Sequence, residues 1–169
     1  MVLADMPLTA SEVLRTFHRD EPALFLGSAF TTVGLVAAAF SLVRRRFDAL
    51  LISLGLFAFL YGQRMWFNSQ LLHLTLAGNE AFANLRWAAN FAVPIPAFYF
   101  FHFAGLLAGR GKAISIALTS LFVGLIVAVF VVGRLPLLQT INNGVVILSL
   151  PWVLVRTFRQ SWPTSIPVP

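Results

Sequence analysis

Two arginines and an asparagine, Arg64, Arg86 and Asn90, have the types and spacing best suited to chemistry in this chain. Arg64 closes the second of five long apolar runs and Arg86 opens the third, so both are expected at similar depth on one side of a membrane. Asn90 lies one helical turn beyond Arg86 on the same face, just ahead of Pro94-Ile95-Pro96. Two prolines at this spacing remove two amide donors and free carbonyls near Asn90 and Ala92. Paired guanidiniums beside freed backbone groups would hold a carboxylate or phosphate in a cleft between helices. Tyr61, Trp66 and Trp87 would supply aromatic walls, and Arg134, Asn142 and Asn143 could add to the same outer pocket. A competing reading gives both arginines to lipid headgroups, towards which long cationic side chains snorkel, and the tryptophans to an interfacial belt.

Other chemistry finds few residues to work with. All six carboxylates lie outside the apolar runs. Proton- and cation-coupled transporters rely on intramembrane carboxylates, which are costly to bury and so mark the pathway. The pattern therefore argues against a pump, an antiporter, an acid–base hydrolase or a two-carboxylate metal enzyme. The chain has no cysteine, which excludes disulfides, thiolate metal sites and cysteine nucleophiles. Of His18, His73 and His102, only His102 lies inside a run. A bis-histidine haem needs imidazoles on facing helices and a histidine-box oxygenase needs clusters three or four residues apart, so neither metal nor cofactor is expected. His102 reads as a packed or hydrogen-bonded interhelical residue. Without a visible nucleophile–base pair, the chain is not expected to be an enzyme.

These residues hang on apolar runs at about 23–43, 49–67, 87–108, 113–132 and 137–155. A bilayer core takes about 20 helical residues to cross, and most of the runs match it. Only 11% of residues are charged, against about 25% in a soluble domain. The expected fold is all-α: an integral membrane helical bundle of about five transmembrane helices, or four if the fifth run lies on the surface, with a short N-terminal amphipathic surface helix. In that helix Thr9-Ala10-Ser11-Glu12 fits a capping box and Leu8 with Val13 a hydrophobic staple. Ala10, Val13, Leu14 and Phe17 form its apolar stripe, and Asp20-Glu21-Pro22 is expected to end it and cap the first span. The organisation is then a tail over 1–22, the bundle over 23–158 and an irregular proline-rich tail over 159–169.

Small residues mark where spans approach one another: Gly27, Ser28, Thr32, Gly34 and Ala37 to Ala39 in the first run, Ala58 and Gly62 in the second. The connection over 68–85 is the longest. It holds a Gly78-Asn79 turn, with Asn79 as the N-cap of a helix starting near Glu80. Pro94 and Pro96 predict a kink in the third span, and a hinge there. The fifth run is the least regular, with Asn142, Asn143 and Gly144 in its outer third and Pro151 in its inner third.

Charge orients the bundle. Arg44–Arg46, Arg110, Lys112, Arg156 and Arg159, seven of the twelve basic residues, share one side of a five-span layout. Cytoplasmic loops collect such residues, so the N-terminus is expected outside and the C-terminus in the cytoplasm. The net charge of +6 sits at span ends, where its partner is the lipid bilayer and not nucleic acid. The opening residues lack the basic and apolar regions of a signal peptide, so the first span is expected to serve as its own insertion signal.

Three segments, EPALFLGSAFTTVGLVAAAFSLVRRRFDALL, LGLFAFLYGQRMW and NLRWAANFAVPIPAFYFF, resemble the N-terminal membrane region of bacterial multi-pass signalling proteins. There a seven-helix sensor bundle of the diverse-intracellular-signalling type precedes a cytoplasmic effector, often a PPM-type serine/threonine phosphatase and sometimes a histidine kinase. The likeness covers roughly 7–101 and lies in apolar texture and short phrases. It implies a sensor and transducer in the bacterial inner membrane, with the effector absent from this chain, which would be a fragment or a stand-alone remnant. No catalytic residue carries over, and five candidate spans stand where the pattern has seven. The resemblance makes Arg64, Arg86 and Pro94 the sensing region for a small anionic ligand on the outer side, with a cytoplasmic effector and a homo-oligomer as further expected partners. The alternative is a small transporter or channel subunit acting as an oligomer. That would need a continuous polar face, and runs one, two and four offer only Ser, Thr and Gly at depth.

Overall fold

The computed structural model describes residues 9–43, 48–76, 78–107 and 111–161. The Arg44–Arg46 triplet, Arg110, Leu8 of the staple and the tail after Ser161 lie outside the described residues, as do the side chains of Arg156 and Arg159. The described elements are all helices: α1 Ala10–Val43, α2 Ala49–Phe67, α3 Gln70–Thr75, α4 Glu80–Ala92, α5 Pro94–Phe103, α6 Gly111–Val131 and α7 Pro136–Ser161. Four of them, α1, α2, α6 and α7, are long and apolar enough to cross a membrane. Between 17% and 22% of each apolar window is buried within the protein, so most of that surface needs an apolar solvent. Phe25, Val36, Phe130 and Leu148 are all more than half exposed. A soluble monomer rarely shows such contiguous apolar surface. Hydrocarbon accounts for it.

Local sequence sets most of the helix ends. Asp48 accepts from the Leu50 and Leu51 amides at the start of α2, Ser69 from Leu72 at the start of α3, and Asn79 from Phe82 at the start of α4. These side chains satisfy donors that no helical carbonyl reaches. At the end of α5 the Leu106 amide donates to Phe101 and the Gly105 amide to His102. Gly105 has φ +76°, the left-handed turn for which glycine is preferred.

Three boundaries differ from the sequence pattern. The capping box forms, with the Glu12 carboxylate accepting from the Thr9 amide at 3.1 Å, but the helix it opens does not stop at Pro22. It continues to Val43 as a single 34-residue helix, so the amphipathic segment is the first part of α1 and not a separate surface helix. Pro22 removes one amide donor, that to the His18 carbonyl, while its fixed φ still suits a helix. Asp20 does not cap a following helix. It is buried, and its carboxylate accepts from the Leu71 amide at 2.7 Å, in the first turn of α3. At the far end α7 runs on to Ser161, past the expected start of the irregular tail, because the next proline after Pro151 is Pro163. The interrupted run is the third and not the fifth. It divides at Val93 into α4 and α5, each too short to cross a bilayer alone.

Two packing units share α2. On one side α1 and α2 run antiparallel along a seam of small residues. A Cβ on Gly34 would lie 2.6 Å from Phe59 Cβ and 2.7 Å from the Gly55 carbonyl, so only hydrogen fits. On the other side α4, α5, α6 and α7 enclose the apolar core of Phe91, Phe98, Phe122, Leu125 and Val129. The Phe98 and Phe122 rings stack at 6.1 Å, and buried Ser115 of α6 donates to the Phe98 carbonyl of α5 at 3.3 Å. One end of the bundle gathers Asp20, α3, the start of α4 and the α6–α7 connection, where Arg134 meets Glu80 at 3.7 Å.

Candidate functional site

The break at Val93 is the local event that builds the site. Pro94 and Pro96 offer no amide to the carbonyls of Asn90 and Ala92, which ends the regular ladder. Val93 nevertheless keeps helical angles, φ −55° and ψ −43°, so one face carries across the break: Asn90, Pro94, Ala97, Phe98 and Phe101 succeed each other at helical spacing. From α2, Phe57, Tyr61 and Arg64 present a second face at intervals of four and three. From α7, Asn142, Asn143, Val146 and Ile147 present a third. Together they line a cavity of about 360 Å³, within the range of small-ligand sites, about 300–1,000 Å³.

Its polar groups collect at the end nearest α3. Arg64 has no ion pair among the described residues, where the pairs formed are Arg134–Glu80 and His18–Glu21. Asn90 is buried and its Oδ1 accepts from Asn68 Nδ2 at 3.2 Å. Asn68 Nδ2 also donates to the Arg64 carbonyl at 2.9 Å, which ties the end of α2 to α4 at the mouth of the cavity. Asn142 is 6% exposed. Its Nδ2 donates to Asn143 Oδ1 at 3.1 Å, while its own Oδ1 is buried and accepts no hydrogen bond. An unsatisfied buried carbonyl of this kind costs about 1–3 kcal/mol. Ser149, farther along α7, already donates to the Val146 carbonyl at 2.9 Å. A second hollow of about 370 Å³ runs along α1 and α2 beside Leu35, Ala38, Leu42 and Leu56. Its Ser41 hydroxyl is taken by the Ala37 carbonyl, so it is a furrow for lipid with no group to fix a ligand.

Of the residues singled out from sequence, Tyr61, Arg64, Asn90 and Pro94 line the cavity together with Asn142 and Asn143, whereas Arg86, Trp66, Trp87 and Pro96 do not. Arg86 turns towards α3 and its Nη1 donates to His73 Nε2, leaving Nε buried and unbonded. Trp66 donates its indole N–H to the Leu24 carbonyl at 3.2 Å and covers Gly27. Trp87 stands edge-on to Phe91, with centroids 5.9 Å apart, and belongs to the core. Arg134 is held by Glu80. Depth along a helix is legible in sequence, but the side to which a long guanidinium swings is not. Asn68 and His73 were missed for the same reason, since their partners are 22 and 13 residues away.

His73 is a base kept neutral. Burial, then the Arg86 guanidinium, lower its pKa below the ordinary imidazole value, with Asp20 pulling the other way. An arginine can only donate, so Nε2 accepts and the ring proton sits on Nδ1. Among the described residues no three of His, Asp or Glu gather as a metal site.

The fold and this site define an all-α helical membrane protein with an amphipathic cavity at a helix break. No protein-family model, curated protein or solved structure matches the chain.

Proposed function

We propose that the chain is a membrane-embedded sensor and transducer module, multi-pass in a bacterial plasma membrane, with α4 and α5 together making the third of five crossings, its N-terminus outside and its C-terminus in the cytoplasm. It binds a small anionic ligand from the outer side and passes the change to a cytoplasmic effector. It performs no catalysis itself. One observation carries the reading: the cavity that holds an unpaired arginine is walled by a helix whose hydrogen-bond ladder is broken at that point. A ligand shifts a conformational equilibrium only through differential contacts with two states. Arg64 from α2, Asn90 from α4 and Asn142 from α7 would each contact a ligand from a different helix, and the break at Val93 gives α4 and α5 room to change their mutual angle.

The test is a thermal-shift screen of organic anions on the purified chain, wild type against Arg64→Gln. Stabilisation that Arg64→Gln abolishes supports the reading, and equal stabilisation of both proteins overturns it. Orientation is read separately, on a chain with no native cysteine. Exposed Thr75→Cys should react with an impermeant thiol reagent from outside intact cells, and exposed Lys112→Cys should not.

A further inference from the structure

Resting on that reading, we propose that the ligand is a single-chain amphiphile whose acidic head carries a hydrogen-bond donor beside it, as in a 3-hydroxy fatty acid or an N-acyl amino acid. Three observations converge on this chemistry.

The first is the lengthwise polarity of the cavity. From Arg64 to Phe57 the α2 wall descends seven residues, about 10 Å at 1.5 Å per residue, and it passes from a cation to phenyl rings. Asn90 to Phe101 repeats the gradient on α4–α5, and Asn142 to Ile147 repeats it on α7, where Ser149 beyond keeps its hydroxyl on the Val146 carbonyl. A ligand polar throughout would leave the deep walls unmatched, and a bare ion would fill only the head. An extended chain advances about 1.2 Å per bond, so about eight to ten carbons, counted from the acid group, span that length.

The second is Arg64, a cation in this head region with no counter-charge among the described residues. A carboxylate or phosphate supplies one, bound through the guanidinium fork. The third is the Asn142 Oδ1: its residue lines the cavity, and the atom itself is covered and without a donor, so a turn of the carboxamide would present it to a ligand. An ionised acid only accepts hydrogen bonds, so the acid group cannot satisfy it. A hydroxyl, amide N–H or ammonium next to the acid can. Entry is from the outer leaflet of the bilayer: Ile147 lines the cavity and is 66% exposed, which opens the site along the apolar flank of α7.

The experiment uses the full chain in lipid nanodiscs, photolabelled with 3-hydroxydecanoate bearing a mid-chain diazirine. Competitors are 3-hydroxydecanoate, decanoate, 3-hydroxybutyrate and inorganic phosphate. Label is expected on peptides containing Phe57, Phe101 or Ile147. Decanoate should compete about tenfold less well than the hydroxy acid, the loss of one hydrogen bond, and both short anions far less. Asn142→Leu should weaken labelling about tenfold, to the level decanoate's affinity sets, and bring the two ten-carbon acids to equal affinity. If short anions compete as well as long ones, or if the hydroxyl gives no advantage in wild type, the amphiphile is wrong while the sensor reading stands. If no anion shows competition that Arg64→Gln removes, both fall. The wild-type series stands alone should either variant fail to fold.

Discussion

The two faces of α2 are built to opposite rules. Towards α1 it presents Gly55, Ala58 and Gly62, all buried, against Gly27, Thr31 and Gly34. The backbones touch, Gln63 Nε2 donates across the seam to Thr31 Oγ1 at 3.2 Å, and Trp66 closes its end on Leu24. Interhelical hydrogen bonds of this type in membranes contribute about 0.6 kcal/mol each on average. Ser41 and Ser53 satisfy themselves on carbonyls one turn back. Towards α4, α5 and α7 the same helix presents Tyr61 and an unpaired Arg64 to a cavity, opposite an unbonded Asn142 carbonyl and a broken ladder. A dry, interlocked seam has one arrangement. A cavity beside a helix break has room for two, so in the proposed sensor α1–α2 would be the fixed frame and α4–α5–α7 the part that responds.

The sharpest way to break that contrast is to fill the seam. At Gly62 a Cβ would lie 2.5 Å from the Gly27 carbonyl and 2.8 Å from the Thr31 amide nitrogen, so backbone must move. Gly62→Ala should lose about 1–3 kcal/mol by overpacking, and Gly62→Leu more. Gly124 on α6 meets nothing within 4 Å, so Gly124→Ala should be neutral or gain up to about 1 kcal/mol of helix propensity. Denaturation in mixed micelles measures both. Equal effects at the two glycines would mean the seam is no tighter than the lipid face.

The next effect concerns the break. Pro94→Ala with Pro96→Ala restores two amides beneath the carbonyls of Asn90 and Ala92 and lets α4 and α5 join. An interior proline costs a helix about 3 kcal/mol, and Pro94 already sits at the tolerated first position of α5. The gain should therefore be smaller, about 1–2 kcal/mol, with slower amide exchange over 93–97 and a weakened conformational response to ligand. Unchanged exchange would show that the break is as rigid as the seam and would remove the contrast.

What the residues disclosed in advance follows the range of the interactions involved. Helical class, apolar solvent and the Thr9 and Asn79 caps depend on neighbours within a turn, and all are readable. Gly27, Gly34, Ala58 and Gly62 marked the seam, because contact there needs only the absence of side chains, whereas Ser28 and Thr32 are exposed and bond carbonyls one turn back, and Thr31 takes their place. The continuation through Pro22 was not legible. A proline spoils one hydrogen bond, and whether the helix survives depends on what else holds it, here Asp20 reaching Leu71 across 51 residues. The cavity was half legible. Arg64, Tyr61, Asn90 and Pro94 lie on predictable faces, whereas Arg86 was drawn off by a histidine whose position depends on how the α2–α4 connection closes.

The smallest effect tests that diversion. Neutral His73 accepts from Arg86 and fastens α3 to α4, while Arg134 beyond is occupied by Glu80 and Asp20 by Leu71. Because burial and Arg86 depress the imidazole pKa in the folded chain, the native state binds fewer protons than the unfolded state below about pH 6.5. The contribution of His73 to stability is therefore complete above about pH 6.5. It declines as pH falls towards the lowered folded pKa and levels off below it. His73→Gln keeps an acceptor for Arg86 and cannot take a proton. Between pH 7.5 and 5 the wild type should lose stability relative to this variant, with amide exchange in α3 rising first. His18 beside Glu21 is common to both proteins and cancels. If the two profiles run parallel, the Arg86–His73 contact does not fasten α3, and Arg86 is free to join Arg64 at the cavity.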